Sequence, residues 1–331
     1  MMPINSFHPP KPTKVYETYW QFAAERQEIF FRRLEGQDCP WTNDTILSVY
    51  KFTNAYRATD RVTQYLIREV IYRGDESPQE VFFRTIIFRI FNSINTWEHL
   101  VNTFGSVRYA DFRMNRYEAA LNSLAESGKT IYSPAYIMPS GKSSFGFPKK
   151  HQNHLCLVQS MMKDQLYARL SAAASMQSAF ELLKAYPMVG NFLAYQHLVD
   201  INYSEITNFS ENEFVMPGPG ARDGIRKCFS DLGNLTESEV IRLVTERQEE
   251  EFSQRGIRFK SLFGRPLHLI DCQNLFCEVD KYSRIKHPDI PGRSGRTRIK
   301  QKFRPMRSLD GYWFPPKWRI WDGARPPDAR V

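Results

Sequence analysis

Val81-Phe-Phe-Arg-Thr-Ile-Ile-Phe-Arg-Ile-Phe91 is the stretch on which the fold turns. It is apolar enough to be a helix buried in a core, and its few polar positions are ordered. Thr85, Arg89, Asn92 and Thr96 fall at helical spacing on one face among Phe83, Ile86, Ile87, Phe88, Ile90 and Phe91. An arginine and an asparagine in such surroundings need partners, because leaving them unpaired costs several kcal/mol. A structural network or a pocket wall would supply them, and the network is the simpler reading.

Helical periodicity continues on both sides. Residues 15–34 read as an amphipathic helix stopped near Gly36, and residues 44–55 as a helix capped by Thr42 or Asn43. Further helices are expected over 60–72, 109–127 (stopped by Gly128), 153–183, 191–199, 225–229, 236–255 and 267–282. Residues 131–150 are rich in Pro, Ser and Gly and read as a loop. With no internal repeat and little β signal, the expected architecture is all-α with a basic, irregular C-terminal extension.

The chain has 331 residues, 42% of them hydrophobic, which is ample for one large core or two ordinary ones. No apolar run approaches the ~20 residues needed to cross a bilayer, and the polar opening carries no targeting helix. An intracellular, soluble protein is the expectation, with no membrane partner. Five cysteines without a CxxC pair support neither a disulfide framework nor a zinc ribbon. His151 and His154 have ligand spacing but no third ligand beside them, so no metal is expected.

The net charge of +9 is concentrated. Residues 293–331 hold eleven Lys/Arg against three acids, a balance of +8 in the last thirty-nine positions. Arg296, Arg298 and Lys300 open this strip, and Phe303, Tyr312, Trp313, Phe314 and Trp318 are interleaved with it. Cations that neutralise phosphates and rings that stack on bases suit a nucleic acid; the plainer alternative is a tail held across the body by its aromatics.

Four other clusters can carry chemistry. Arg57, Arg61, Gln64 and Arg68 fall at i, i+4, i+7 and i+11, a stripe suited to phosphate oxygens or to neighbouring acids. Gly218, Gly220 and Arg222, in Met216-Pro-Gly-Pro-Gly-Ala-Arg222, have the composition of an anion-binding loop or of a rigid turn. Asp271, Asn274, Glu278 and Lys281 share a face of an apolar helix; Asp271, Glu278 and Lys281 are candidates for catalysis, with Asp271 or Glu278 as base, and Asn274 for holding the substrate or its phosphate. Gly141-Lys142-Ser-Ser144 looks like the end of a P-loop, but Tyr136 occupies the place of its first glycine. A basic loop including Lys142, Lys149 and Lys150, able to touch DNA, is the better reading.

Tyr186-Pro-Met-Val-Gly190-Asn-Phe-Leu-Ala194-Tyr-Gln196 resembles the hairpin of helix-hairpin-helix DNA glycosylases, whose backbone N–H groups bind a phosphate, with Met188 where a glycine usually stands. Together with Arg57-Ala-x-Asp60-Arg61, Pro217-Gly-Pro-Gly-Ala-Arg222 and Asp271-Cys-Gln-Asn274, this hairpin resembles the helical domain of 5-hydroxymethyluracil DNA kinases. That family is also described as alpha-glutamyl/putrescinyl thymine pyrophosphorylases. The resemblance implies a helix-hairpin-helix glycosylase-like fold and group transfer at the 5-methylene of hydroxymethyluracil, or of its phosphorylated form, in DNA. The cosubstrate would be a nucleoside triphosphate or an amino acid, with DNA and a P-loop kinase or another modification enzyme as partners. A non-catalytic DNA-binding module and a glycosylase-like excision enzyme are the alternatives. The expected organisation is a disordered stretch over 1–14, a base-modification domain over 15–290 and a basic aromatic extension over 291–331. Gly190 joins the DNA-contacting positions.

Overall fold

The computed structural model describes residues 8–135, 137–304 and 311–320. In chain order its helices are α1 (Lys14–Leu34), α2 (Thr45–Val49), α3 (Arg61–Tyr65), α4 (Pro78–Phe91) and α5 (Ile94–Phe104). Then come α6 (Met114–Glu126), α7 (Lys142–Phe145), α8 (Lys150–Lys163), α9 (Leu166–Ser171), α10 (Met176–Lys184) and α11 (Asn191–Ile201). The last are α12 (Pro219–Cys228), α13 (Glu237–Glu246), α14 (Gln248–Gln254) and α15 (Leu269–Lys286). The fold is all-α, relieved among the described residues by one two-stranded ladder, β1 (Lys11–Pro12) with β2 (Phe229–Asp231).

The chain forms two compact units. The first comprises Met1–Asp60 and Phe214–Tyr312, the second Arg61–Glu213 and Trp313–Val331. Residues 8–14 are not the loose end expected of them. β1 pairs with β2, and Thr13 donates to the Lys227 carbonyl while capping α1. Residues 1–7 lie outside the described ones.

The first unit is organised by α15 against α1 and α12. Tyr19 lies 4.6 Å from the Phe276 ring, and Phe22 meets Phe52 and Tyr282. α12 approaches α15 so closely that a Cβ on Gly224 would sit 1.9 Å from the Phe276 carbonyl oxygen, and one on Gly220 2.3 Å from Cys277 Sγ. Both glycines are demanded by helix packing.

In the second unit α4 is the central helix, and its apolar residues are buried around the whole circumference. Its polar side chains are satisfied inside. Arg84 donates to the carbonyls of Val70, Ile71 and Asp75, and Thr85 to that of Val81. Arg89 forms a bidentate pair with Asp200 at 2.6 and 2.9 Å and also donates to Asn92. The polar line of α4 is therefore a structural network.

α10 and α11 are joined by a tight turn in which Met188 takes φ +67°, the left-handed conformation that glycine adopts most cheaply. The continuous helix expected over 153–183 is three helices. Gln165 at φ +48° separates the first two, and Ser175 caps the third by accepting from Ser178 N. The helix expected over 44–55 ends at Val49, capped at its start by Asp44, because residues 49–51 pair with 301–303.

Candidate active site in the first unit

Segment 53–60 is irregular but anchored, mostly by side chains that hold its backbone. Glu278 Oε2 accepts from Thr53 N at 2.9 Å, and Arg26 Nε donates to Thr53 O at 3.0 Å. Arg26 also donates to Asn54 Oδ1, whose amide in turn donates to Thr59 O. Asp271 Oδ1 accepts from Arg57 N at 2.9 Å, while its Oδ2 accepts from His268 N and so caps α15. Tyr56 hydroxyl donates to Arg265 O at 2.6 Å. Such preorganisation fixes the segment's two charged residues, Arg57 and Asp60, without depending on their own side chains.

Asp60 occupies the exit of this segment. Its Oδ1 accepts from Asn54 N at 2.8 Å, and its other oxygen has no hydrogen-bond or ion-pair partner among the described residues. The residue is partly exposed where Ala55–Thr59 are buried. Burial of the carboxyl raises its pKa to about 7, with Glu278 adding to the rise; the Asn54 N–H, Arg26 and Arg57 oppose it. Arg26 pays the converse penalty, pulled down to about 10 by its burial. Tyr312, edge-on to Phe30 at 4.9 Å, belongs to the same field: Arg33 and Arg26 lower its pKa while burial and Asp60 raise it.

The α15 cluster read from the sequence is therefore brought against segment 53–60. Asp271 and Glu278 are buried and receive backbone donors. Lys281 Nζ lies 2.7 Å from Glu278 Oε2 and over the Phe52 ring. Asn274, between the two acids on the same face, is partly exposed and accepts from Gln273. Asp60 itself escaped sequence reasoning as a site residue, although a signal existed: it is the single acid between residues 45 and 68.

The arginine stripe does not form. Arg57 lies in a 3-10 turn (Arg57–Thr59), α3 begins only at Arg61, and Leu66–Ile71 is a π-helical turn, so the expected spacing no longer selects one face. The Arg57 side chain is 1% exposed. Arg61 is exposed, and Arg68 faces Glu69 at 3.1 Å. Gln64 is committed to the backbone of Trp313, donating to its carbonyl and accepting from its N–H.

The glycine loop leads into α12. Gly218 is the N-cap of α12 and Gly220 packs on Cys277, while Arg222 leans on the Pro217 carbonyl with Glu237 at 3.7 Å. Gly190 caps α11, with open space where a Cβ would stand. Lys142 is exposed at the start of a four-residue helix that no strand precedes. Lys149 donates to Asn122 and Lys150 lies over the Tyr132 ring. His154 is taken up by the Tyr132 hydroxyl and the Pro139 carbonyl.

In the C-terminal extension the aromatics are spent on packing. Phe303 meets Trp41, Trp313 and Phe314 are buried, and Trp318 packs on Tyr203. Lys317 donates to the carbonyls of Ser204 and Thr207 and is pulled down to about 8 by burial. Arg296, Arg298 and Lys300 are exposed, with no acid paired to them among the described residues. Residues 305–310 and 321–331 of the extension lie outside the described ones.

Residues 13–292 match the family model described as 5-hmdU DNA kinase, helical domain. The chain belongs to that family. A relative in Bacillus phage SP10, named 5-hmdU DNA kinase, is 29% identical over 286 residues, which are 81% of this chain and 45% of that protein. The chain thus spans about half the length of that relative. No solved structure matches it. The family match takes in segment 53–60, its anchors on α15 and both turns of the glycine-rich motifs. No helix among the described residues is long and apolar enough to cross a membrane.

Proposed function

We propose that this chain acts on 5-hydroxymethyluracil in DNA, with Asp60 accepting the proton of the 5-hydroxymethyl group during group transfer at that oxygen. The observation that carries the reading is the Asp60 carboxyl, with one oxygen fixed by Asn54 N–H and the other without a partner. A general base works best with a pKa near the operating pH, and about 7 meets that condition. In the step, the substrate O–H bond breaks, its oxygen forms the bond to phosphorus, and the bond from phosphorus to the donor's bridging oxygen breaks. The proton passes to Asp60. Arg57 and Arg26 keep the carboxylate available, and Asp271 and Glu278 act as positioning residues through segment 53–60.

The phosphoryl donor is a nucleoside triphosphate held by a P-loop partner, since Gly141–Ser144 has no strand before it and only a four-residue helix after it. Arg296, Arg298 and Lys300, exposed and without acidic partners among the described residues, favour a second reading in which the chain delivers DNA to that partner without catalysis of its own. Incubating wild-type protein and Asp60→Asn with hydroxymethyluracil duplex, ATP and the partner kinase, then resolving the nucleosides by mass spectrometry, separates the two. Loss of the phosphorylated nucleoside in Asp60→Asn at unchanged DNA affinity supports the catalytic reading. Equal yields refute it and leave delivery.

A further inference from the structure

The most exposed large apolar side chain of the described residues is Ile137, at 73%, and it sits on a loop that is held rather than loose. Thr96 Oγ1 donates to Ile131 O at 2.7 Å, and Ser133 N donates to Phe91 O at 3.0 Å. Just beyond Ile137, Met138 is 2% exposed, and His154 Nε2 meets Pro139 O at 2.8 Å. One amide, Asn153 Nδ2, reaches the carbonyls of Ser140, Phe147 and Lys149, which gathers the return of the loop at a single point. Gly141 at φ +72° then fits beneath Met188, where a Cβ would stand 2.1 Å from Sδ. The loop is thereby seated on the turn that starts α11.

A second apolar residue, Phe147, is 37% exposed on the same loop. From Lys129 to Lys150 there are four lysines and no acid. Lys142, between the two apolar residues in sequence, is exposed with no partner among the described residues. An exposed apolar side chain on an anchored loop whose own sequence carries lysines and no acid fits a duplex: the cation neutralises a phosphate while the apolar side chain enters the base stack as a wedge.

We infer that residues 137–150 form a duplex-reading loop in which Ile137 inserts between bases and Lys142 holds an adjacent phosphate. This rests on the reading that the chain binds DNA and adds how the stack is opened. The test uses the full chain and a hydroxymethyluracil duplex with 2-aminopurine beside the modified base. Wild type should raise 2-aminopurine fluorescence on binding. Ile137→Ser should abolish the rise and weaken binding roughly tenfold at an unchanged salt slope, whereas Ile137→Leu should keep both. Lys142→Ala should lower the salt slope by roughly 0.9. Because Ile137 is largely exposed, its replacement leaves folding intact, which a melting curve verifies. A wild-type fluorescence change that survives in Ile137→Ser overturns the wedge while the DNA reading stands. Failure of the wild type to bind any duplex overturns both. Sedimentation as a dimer that Ile137→Ser dissolves would make the tip a protein contact and also overturn the wedge.

Discussion

Replacing Asp60 by Asn should make the protein more stable at neutral pH while removing its proposed chemistry. The amide keeps an oxygen for Asn54 N–H, so the one hydrogen bond to this side chain survives. What disappears is the cost of holding a carboxylate in a partly buried position, expressed in a rise from 3.8 to about 7. At about 1.4 kcal/mol per pH unit, a shift of roughly 3 units sets a ceiling of about 4 kcal/mol. Solvent at the exposed edge reduces this to about 2 kcal/mol. The sign follows from proton counting. Between pH 4 and 7 folded wild type holds a proton that the unfolded chain has released, so its stability falls as pH rises through that window and levels off above it. Asp60→Asn does not titrate there. Urea denaturation at half-unit steps from pH 4 to 8 should show the variant's advantage growing from near zero up to about pH 7 and levelling off above it. Turnover by wild type should rise over the same range as the base deprotonates. A stability difference that stays flat from pH 5 to 8 would refute both the perturbed carboxyl and its role.

Three further outcomes follow from contacts described above. Asp271→Asn presents one acceptor oxygen to two backbone N–H groups, so it should cost about 1–2 kcal/mol in urea melts and lower turnover without moving the pH midpoint near 7. Joint replacement of Arg296, Arg298 and Lys300 by Ala should weaken duplex binding and reduce the log–log salt slope by up to about 2.7, at roughly 0.9 per phosphate contact, in a fluorescence-anisotropy titration. Gly224→Ala forces a methyl into the Phe276 carbonyl and should destabilise the first unit by about 3 kcal/mol in the same urea assay.

What the sequence made legible was governed by local periodicity. Residues 81–91 could be read as a buried helix because apolar residues surround the helix axis, and Arg89 and Asn92 announced a network that Asp200 completes. The 191–199 helix and its turn were legible through Pro187 and Gly190. Breaks made by non-glycine residues were not: Gln165 at φ +48° interrupts a pattern that looks continuous, and Asp60 separates Arg57 from α3 in the middle of a helical spacing. The α15 face was visible as a cluster of acids, amide and lysine, but its target was not, because segment 53–60 lies more than two hundred residues away and is recognised through backbone N–H groups that any residue would offer. The charge of the C-terminal strip could be counted. That its rings serve packing could not, since their partners Trp41 and Tyr203 are distant and the ring spacing follows no period.

The order in which the two units take up the chain has a consequence for synthesis. The first unit needs α1 and segment 53–60 together with α12 and α15, so its opening sixty residues leave the ribosome long before the helices that cover them. At about 5–20 residues per second the wait from Asp60 to α15 is some ten seconds or more. The second unit is assembled from the contiguous run 61–213 in that interval and can collapse first, before residues 313–331 are made. During the same interval α1 carries Tyr19, Trp20, Phe22 and Phe30 uncovered. The nascent protein therefore passes through a half-finished state whose exposed face is that of α1, and a chaperone acting on it would have its clearest target there.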